Sequence, residues 1–487
     1  MSNKELNEIP FSLKAIIGPL MAVIVGMIMV ILDSTIMNVA LPGLIKDFGS
    51  TVSTMQWAIT GYTLALSAVI PLAGWMTDRF GAKRIFLTTI ILFTLGSLLC
   101  SIAQSPVQLI TFRVIQGLGG GMVAPIGMAI VFRIAPPGKV GSIMGMLGIP
   151  MLLAPALGPV ISGYLIEYVS WHWIFLINLP IGILAVFIGM RFLPKFDRKT
   201  VPSLDILGII LAPIAFSMLA FGISEGGKSW SSTETLTGLI VGGVALLLFI
   251  IVELRQKQPL LELKVFGSGD FTRGILIAWI SQIALFGAIL LVPLYLQTVK
   301  GYGSFHTGLL LLPQALASAV MMPIGGRLFD KLGARPMAIG GLTIITSALY
   351  MLSQITPTTS NGYVMTALAM MGGGMGFSMM SINTHVLQAA PRNLVSRVTP
   401  LTTAAQQVMV SFAVAGMTGF LTSRIEDQMP TATSPINAMV AGYGDTFLLA
   451  AGIAAFGAIL SLILRRPKTE PEDLGKKSTT NPAMVTH

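Results

Sequence analysis

Long apolar runs separated by short polar connectors extend over almost the whole chain. Each run is about 20 residues long, which is the length that an α-helix needs to cross the hydrocarbon core of a bilayer. No segment alternates apolar and polar residues as the strands of a membrane β-barrel do. The pattern predicts fourteen spans, near residues 14–35, 53–73, 84–103, 107–132, 142–165, 173–193, 205–224, 235–254, 273–297, 306–326, 337–354, 362–386, 400–423 and 445–464.

The composition agrees with a membrane environment. Of the 487 residues, 54% are hydrophobic and 10% are charged, whereas soluble domains carry about 25% charged residues. No connector is long enough to form a soluble catalytic domain. The net charge of +10 does not indicate a nucleic-acid partner, because the basic residues are spread over short connectors. We therefore expect an all-α integral membrane protein that is surrounded by the lipid bilayer.

The positions of the basic residues predict the orientation. Fourteen spans place both termini on one side of the membrane, and 25 of the 30 Lys and Arg residues fall on that side. Arg113 lies within a span, and the four remaining residues fall on the opposite side: Lys46, Lys228, Lys300 and Arg424. Because Lys and Arg are enriched in cytoplasmic connectors, we expect both termini in the cytoplasm. The first run is too long for a signal-peptide core and has no small-residue cleavage site after it, so it is interpreted as a retained span.

An internal repeat divides the chain. Residues 74–83 (GWMTDRFGAK) recur as residues 326–335 (GRLFDKLGAR), at an offset of 252 residues. A weaker echo pairs Ala135-Pro136 with Ala390-Pro391 at an offset of 255 residues. Both copies of the first segment follow a span that runs inward, so the two halves have the same orientation, which is typical of a parallel repeat.

The two copies lie eight spans apart, and a six-helix half would place them six apart. Two helices are therefore predicted to be inserted between the halves. A repeat of seven plus seven spans would invert the second copy. The resulting division is a cytoplasmic N-terminus (1–13), an N-terminal six-helix bundle (14–200), two inserted helices (201–265), a C-terminal six-helix bundle (266–465) and a cytoplasmic tail (466–487).

Two ionisable residues lie clearly within predicted spans. An ionisable residue deep in a span costs about 2.5–3.5 kcal/mol on insertion scales. Asp33 and Arg113 lie at similar depth, within roughly 10 Å of the outer boundary at 1.5 Å of rise per residue. A carboxylate beside an arginine stays ionised, and it takes up a proton more readily when the arginine moves away. This arrangement predicts a proton-coupling pair. The alternative is a permanent salt bridge that locks two helices together.

Polar residues within the spans could contribute to a substrate cavity, although each taken alone is more often part of helix packing. The candidates are Asn38, Gln56, Trp57, Gln116, Gln282, Gln314, Asn383, Gln406 and Gln407. The four histidines lack metal-ligand spacing, and there is no phosphate-binding loop of the Walker type. We therefore expect no metal, no cofactor and no enzymatic activity, with a proton gradient as the energy source.

Several motifs resemble the major facilitator superfamily over the whole chain, and within it the 14-span drug:proton antiporter (EmrB/QacA-like) branch. Residues 32–42 (LDSTIMNVALP) are similar to the branch's span-1 signature, and residues 113–120 (RVIQGLGG) to the span-4 motif. Residues 171–180 (WHWIFLINLP) are similar to the start of span 6, with His172 where arginine is common. The first repeated segment resembles the family's motif in the loop between spans 2 and 3, and the matching residues are Gly74, Asp78, Arg79, Gly81, Lys83 and Arg84. The corresponding residues of the second copy are Gly326, Asp330, Lys331, Gly333 and Arg335.

The span-5 antiporter motif is the part of the resemblance that bears on transport direction. Gly145, Gly158, Pro159 and Gly163 match it, whereas Ala154 and Ser162 stand where glycine is usual. In this family the span-4 arginine is implicated in proton transfer, and the loop motif forms a cytoplasmic charge clamp that holds the outward-open state. Glycine and other small residues at this spacing also permit close helix packing.

The resemblance implies a major facilitator fold and a proton-coupled antiporter that exports drugs or other small amphipathic compounds by alternating access, as in antibiotic resistance. It implies a bacterial inner membrane as the location, a monomer as the working unit, and room for an accessory periplasmic partner. Two alternatives stay open: a proton-coupled importer or facilitator of a small metabolite with the same fold, and a membrane sensor or scaffold that does not transport.

Overall fold

The computed structural model describes residues 13–136, 138–196, 206–226, 229–256, 259–391, 394–430 and 432–465. Within them, fourteen helical segments are long and apolar enough to cross a membrane. This confirms the predicted number of spans. Their helices are Leu13–Asp47 in span 1; Val52–Val69, Ile70–Leu72 and Ala73–Phe80 in span 2; Ala82–Ser101 in span 3; Pro106–Gly120 and Val123–Ile134 in span 4; Val140–Tyr168 in span 5; His172–Leu176 and Asn178–Phe192 in span 6; Ile206–Gly226 in span 7; Thr233–Arg255 in span 8; Gly269–Thr298 in span 9; Ser304–Leu332 in span 10; Ala334–Ser353 in span 11; Asn361–Gln388 in span 12; Val395–Gln428 in span 13; and Pro435–Leu460 with Ser461–Ile463 in span 14.

Three spans are broken where a proline removes a backbone hydrogen bond. Proline has no N–H and cannot bond to the carbonyl four residues earlier. Span 2 contains Pro71 in its short 3₁₀ segment. In span 4 the helix breaks after Gly120, and Pro125 lies shortly beyond the break. In span 6 it breaks at Ile177, three residues before Pro180. Spans 2, 4 and 6 therefore each consist of consecutive pieces.

Several helices extend beyond the predicted windows. Span 1 continues to Asp47, so Asp33 lies well inside its helix and not near the helix end. Span 14 begins at Pro435, where the Ser434 side chain accepts a hydrogen bond from the Asn437 backbone and caps the first turn. Hydropathy marks only the apolar part of a helix, whereas the helix itself continues until its end groups are satisfied.

Packing divides the spans into two bundles and a hairpin. Spans 1–6 form the N-half, in which spans 2 and 3 pack on span 4, and spans 5 and 6 pack on span 1. Spans 9–14 form the C-half, in which span 12 packs on spans 10 and 11, and span 14 on spans 9 and 11. Spans 7 and 8 pack chiefly on each other. The architecture is two six-helix bundles with two helices inserted between them along the chain, as the resemblance predicts.

Several helix pairs join the halves directly. Span 5 packs mainly on span 10 and also on span 12, and span 13 packs on the second parts of spans 2 and 4. Span 7 contacts both span 2 and span 13, so the inserted hairpin also bridges the halves. Glycine makes the close crossing of spans 5 and 10 possible: a Cβ built at Gly145 would lie 2.8 Å from the Met322 carbonyl oxygen.

The buried apolar side chains join the halves mainly at one end of the molecule. We name this end, where spans 2, 4, 10 and 12 finish and spans 5 and 13 begin, the gate end. One buried cluster contains side chains of both halves there, among them Ile130 and Met144 of the N-half and Val398 and Leu401 of the C-half. The other two clusters each stay within one half. The halves are therefore in continuous apolar contact at the gate end.

Candidate functional site

The two charges predicted within the spans form a buried ion pair. Arg113 of span 4 and Asp33 of span 1 meet with 2.5 Å between the Arg113 guanidinium nitrogen and Asp33 Oδ2. Each side chain is only 1% exposed. Burying two charges carries a desolvation penalty of several kcal/mol per ion, which mutual attraction offsets only when further hydrogen bonds satisfy both groups.

Neutral side chains supply those hydrogen bonds to the carboxylate. Gln116 Nε2 donates to Asp33 Oδ1 over 2.8 Å, and Asn178 Nδ2 donates to the same oxygen over 2.9 Å. Gln116 Oε1 also accepts from Arg113 over 2.8 Å, while Asn178 Nδ2 lies 2.9 Å from Ser97 Oγ. Spans 1, 3, 4 and 6 thus meet at one polar centre, in which each oxygen of the carboxylate accepts a hydrogen bond.

Aromatic and backbone groups hold the Arg113 side chain on its other sides. The guanidinium carbon lies 4.0 Å from the centre of the Tyr62 ring, a distance at which a cation–π attraction is effective. Its Nε donates to the Ala58 carbonyl over 3.3 Å. Both of these groups belong to span 2. The Tyr62 hydroxyl and Asn178 Oδ1 are buried and have no hydrogen-bond partner among the described residues, so the centre retains unused hydrogen-bonding capacity.

Asp78, in the loop motif of the N-half, contacts the C-half at the gate end. Ser396 Oγ donates to Asp78 Oδ1 over 3.0 Å, and Arg397 Nε donates to Oδ2 over 3.3 Å. Arg133, at the end of span 4, lies 3.9 Å from the same carboxylate. Asp78 is buried. Its charge therefore joins the ends of spans 2 and 4 to the beginning of span 13.

Asp330, the equivalent residue of the second motif copy, contacts the N-half at the beginning of span 5. It accepts hydrogen bonds from the backbone N–H groups of Gly141 (2.8 Å) and Ser142 (2.9 Å) and from Ser142 Oγ (2.6 Å). The first N–H groups of a helix lack partners within the helix, and the helix dipole favours a negative charge there. The two motif copies thus reach across to opposite halves in a similar way.

The other motif residues lie around these aspartates. Gly81 and Gly333 have positive φ angles of 92° and 85°, which favour glycine at these two turns. Lys83 Nζ donates to the Met190 and Leu193 carbonyls over 2.8 and 2.7 Å, at the end of span 6 within the same half. Gly74 lies where span 2 meets Ser396 and Arg397. The exposed basic residues of the two copies are Arg79, Arg84, Lys331 and Arg335.

The glycines of the span-5 motif lie at two different contacts. Gly145 meets span 10, as described above, and a Cβ at Gly163 would lie 3.6 Å from Phe305 at the far end of the same helix pair. Gly158 instead meets span 1, where a Cβ would lie 2.8 Å from Thr35 Cβ. Span 5 therefore uses glycine both between the halves and against the helix that carries Asp33.

The predicted cavity residues fall into separate groups. Gln282, Asn383 and Gln406 come together in the C-half, where Gln406 Nε2 donates to Asn383 Oδ1 over 2.8 Å. Gln116 belongs instead to the Asp33 centre, and Gln314 donates to Met375 Sδ over 3.5 Å between spans 10 and 12. The remaining candidates are Gln56, Gln407, Trp57 and Asn38. Gln56 and Gln407 are half-buried. Trp57 is exposed and stacks on Phe221 of span 7, with 6.2 Å between the ring centres. The side chains of Asn38 and Pro159 lie outside the described part of the structure.

A small pocket lies beside the C-half group, between spans 9 and 12. Its polar lining residues are Ser281, Gln282 and Asn383, and its apolar ones are Ala278, Leu285, Met379 and Ile382. We name it the C-half pocket. Its cavity volume is about 10 Å³, which is room for about one water molecule.

Asn178 and Ser97 were not predicted as site residues. Residues 171–180 did include Asn178, but an isolated asparagine in a span is more often part of helix packing. Its significance comes from the fold, which brings spans 1, 3 and 6 together at Asp33.

Comparisons with known proteins agree with this architecture. The chain matches the Major Facilitator Superfamily over residues 23–414. It is 33% identical to the lincomycin resistance protein LmrB of Bacillus subtilis, covering 93% of this chain and 96% of that one. It is 34% identical to a multidrug resistance protein B homolog of Mycobacterium tuberculosis, covering 84% and 77%. Among solved structures, the human organic anion transporter MFSD10 matches with a TM-score of 0.67 at 14% identity, covering 92% and 99%, and the proton:xylose symporter XylE matches with a TM-score of 0.65 at 12% identity, covering 93% and 96%.

The two solved structures share the fold of this chain, and the relatives from bacteria share its sequence over most of its length. A third relative, named multidrug resistance protein MdtD and found in Salmonella heidelberg, is 33% identical over 81% of this chain and 84% of its own. The chain is a multi-pass membrane transporter rather than an enzyme, and it belongs to the major facilitator superfamily, in the branch that contains these multidrug resistance proteins.

Proposed function

We propose that this transporter is a proton-coupled antiporter that exports drugs or other small amphipathic compounds from the cytoplasm. The observation that carries the proposal is the buried pair of Asp33 and Arg113, two opposite charges inside membrane-spanning helices whose side chains are each 1% exposed. Relatives named as lincomycin and multidrug resistance proteins support drugs as the cargo.

The coupling step is a competition for the Asp33 carboxylate. When a proton from the outer side binds Asp33, the carboxyl group becomes neutral and the attraction of Arg113 weakens. The arginine is then free to move, and the cargo is released outward. When the binding site faces the cytoplasm, the proton leaves to water, the ion pair forms again and new cargo binds. One proton carried by Asp33 moves inward as cargo moves outward.

Rocking of the two halves provides alternating access in this proposal, with the cargo bound between them. The buried cluster and the contacts of Asp78 and Asp330 at the gate end support a state in which that end is closed. For cargo to enter from the gate end, those contacts must break. We propose that the gate end faces the cytoplasm of a bacterial cell, together with both termini, because most basic residues lie on that side.

The direct test is Asp33→Asn in proteoliposomes with a pH gradient. We expect this variant to lose proton flux that depends on cargo, because an amide does not take up the proton. The matched control is Asp47→Asn, which makes the same substitution at the exposed end of the same helix. The control should keep wild-type coupled flux.

Each outcome identifies one function. Retained cargo-dependent proton flux in Asp33→Asn would exclude Asp33 as the proton carrier. Cargo that moves in the same direction as protons in the wild-type protein would indicate the importer. Cargo binding without any flux would indicate a sensor or scaffold, provided that binding also persists when both Asp33 and Arg113 are neutralised.

A further inference from the structure

We propose that the inserted hairpin of spans 7 and 8 is a side wall that moves with the C-half. In this proposal span 7 covers the separation between spans 2 and 13 away from the gate end, and it slides over span 2 when the halves rock. The inference rests on the alternating access of the proposed function. It adds a task for the two helices that separate the halves along the chain.

Spans 2 and 13 lie close together mainly near the gate end. The later pieces of span 2, residues 70–80, pack on span 13, whereas the first piece, Val52–Val69, packs chiefly on spans 1, 4 and 7. Span 7 packs on this first piece and on span 13 as well. Away from the gate end, span 7 is therefore the helix that connects the two.

Spans 7 and 8 form one closely packed unit. A Cβ built at Gly222 of span 7 would lie 2.6 Å from the backbone nitrogen of Leu239 in span 8, and glycine permits this close approach of two helices. Phe216 and Phe249 add an edge contact between the same helices, with 6.4 Å between their ring centres. We therefore expect the hairpin to move as a single body.

The two helices of the hairpin face different surroundings. Large apolar side chains that share one face of span 8 are exposed, namely Leu236, Ile240, Val244 and Leu247. A membrane helix with such a face is suited to contact with lipid tails. Span 7 contributes buried side chains to the cluster shared by both halves, among them Phe216. Span 8 is thus the lipid side of the wall, and span 7 is its inner side.

The hairpin is attached to the C-half at both of its ends. At the end of span 8, Glu253 Oε1 accepts a hydrogen bond from the Leu260 backbone over 3.2 Å. Farther along the connector, Phe266 packs on Phe271 at the start of span 9, with 5.3 Å between ring centres. In the turn between spans 7 and 8, Trp230 Nε1 would lie 3.8 Å from a Cβ at Gly419 of span 13.

The contact with the N-half is of a kind that permits sliding. Phe221 of span 7 stacks on Trp57 of span 2, with 6.2 Å between ring centres and 26° between ring planes. Stacked aromatic rings favour offset arrangements, so one ring can shift over the other without breaking a directional bond. We therefore expect rocking to change this contact and to preserve the contacts with span 13 and with the start of span 9.

Cross-linking in an Asp78→Asn background tests which half the hairpin follows, because this substitution removes charged contacts at the closed gate end. One variant carries Trp57→Cys with Phe221→Cys, and a short bismaleimide then links the hairpin to the N-half. The matched control carries Trp230→Cys with Gly419→Cys, and the same reagent links the hairpin to the C-half.

The readout is the distance between two spin labels at the gate end, measured by electron paramagnetic resonance. The labels replace the exposed Arg84 of the N-half and the exposed Arg335 of the C-half. They are attached through non-canonical amino acids, so that the introduced thiols stay free for cross-linking. Cys100 is buried and is kept in all variants.

Before cross-linking, we expect both proteins to show a long gate distance in addition to the short one. The 57–221 link should abolish the long distance, whereas the 230–419 link should preserve it. A long distance that survives the 57–221 link, or that is lost with the 230–419 link, would overturn the proposal. A single short distance in both unlinked proteins would instead refute the alternating access of the proposed function.

A third label position tests the same point with Trp57 and Phe221 intact, which covers the case that the cysteine pair does not fold. Arg255 is exposed at the end of span 8. Its distance to position 335 should stay constant when the gate end opens, and its distance to position 84 should change. The reverse result would assign the hairpin to the N-half and overturn the proposal. Loss of proton coupling in liposomes with these distances as expected would refute only the proton-coupled mechanism.

Discussion

Replacing Arg113 by Gln should destabilise the protein by about 3–5 kcal/mol, because it leaves the Asp33 carboxylate buried without its counter-charge. The carboxylate would keep the hydrogen bonds from Gln116 and Asn178, but these groups carry no net charge. Asp33→Asn should cost a similar amount, since it leaves the guanidinium of Arg113 unpaired between Tyr62 and the Ala58 carbonyl.

The double variant separates an ion pair from two independent contributions. If the two substitutions acted independently, the free energy of unfolding of the double variant would fall by the sum of the two single losses, about 6–10 kcal/mol. The double variant, with Asp33→Asn and Arg113→Gln, has no unpaired charge at this site, and its two amide side chains can hydrogen-bond to each other. We therefore expect its loss to be smaller than the sum by up to about 3 kcal/mol, the upper end of the coupling energies found between residues in direct contact.

Thermal unfolding of the four proteins in the same detergent measures this difference. Loss of helical circular dichroism reports the whole fold, and the reaction of Cys100 with a thiol-reactive dye reports opening near the pair. Cys100 is the only cysteine of the chain, and its sulfur is buried 3.6 Å from Gln116 Oε1. Losses that add, with no difference between the double variant and the sum, would refute the reasoning. Full proton-coupled transport by a stable double variant would show that the pair is structural.

Three further outcomes follow from the gate end and the helix crossings. Asp78→Asn should shift the equilibrium toward an open gate end by about 10-fold or more, since charge-assisted hydrogen bonds contribute about 1.5–3 kcal/mol. The labelling rate of a cysteine placed at the gate end measures this opening. The control is Asp427→Asn, at an exposed site. Gly326→Val should abolish transport, because its Cβ would lie 2.9 Å from the Gly141 carbonyl carbon, whereas Gly340→Val, with no atom within 4 Å, should be tolerated. The Cys100 thiol should react with a maleimide only after unfolding.

Hydropathy was sufficient to predict the number of spans, because a bilayer requires each crossing segment to be apolar along its whole length. It could not place the helix ends, which depend on caps such as Ser434 and on prolines such as Pro400 that a helix tolerates within a bundle. A partner for Asp33 could be predicted because Arg113 was the other charge within a span. The neutral donor Asn178 could not, since its role depends on which helices become neighbours.

The contacts of Asp78 and Asp330 at the gate end could not be predicted from the sequence either. The repeat marked Asp78 and Asp330 as equivalent residues, but nothing local shows that each reaches the opposite half. Asp78 meets Arg397 more than 300 positions along the chain, and Asp330 binds backbone N–H groups, for which no side-chain signal exists. The helices that face them, span 13 for Asp78 and span 5 for Asp330, also correspond in the repeat, and this correspondence appears only once the halves are packed together.

Spans 2 and 4 connect the charged centre to the gate end. Span 2 contacts Arg113 through Ala58 and Tyr62 and carries Asp78 near its end. Span 4 carries Arg113 itself, and near its end Arg133 faces Asp78. Both spans are broken between these points, and a helix bends more easily where backbone hydrogen bonds are missing. A change in the partners of Arg113 can therefore alter the angle at two breaks and so the position of the Asp78 contacts, without requiring either helix to tilt as one rigid rod.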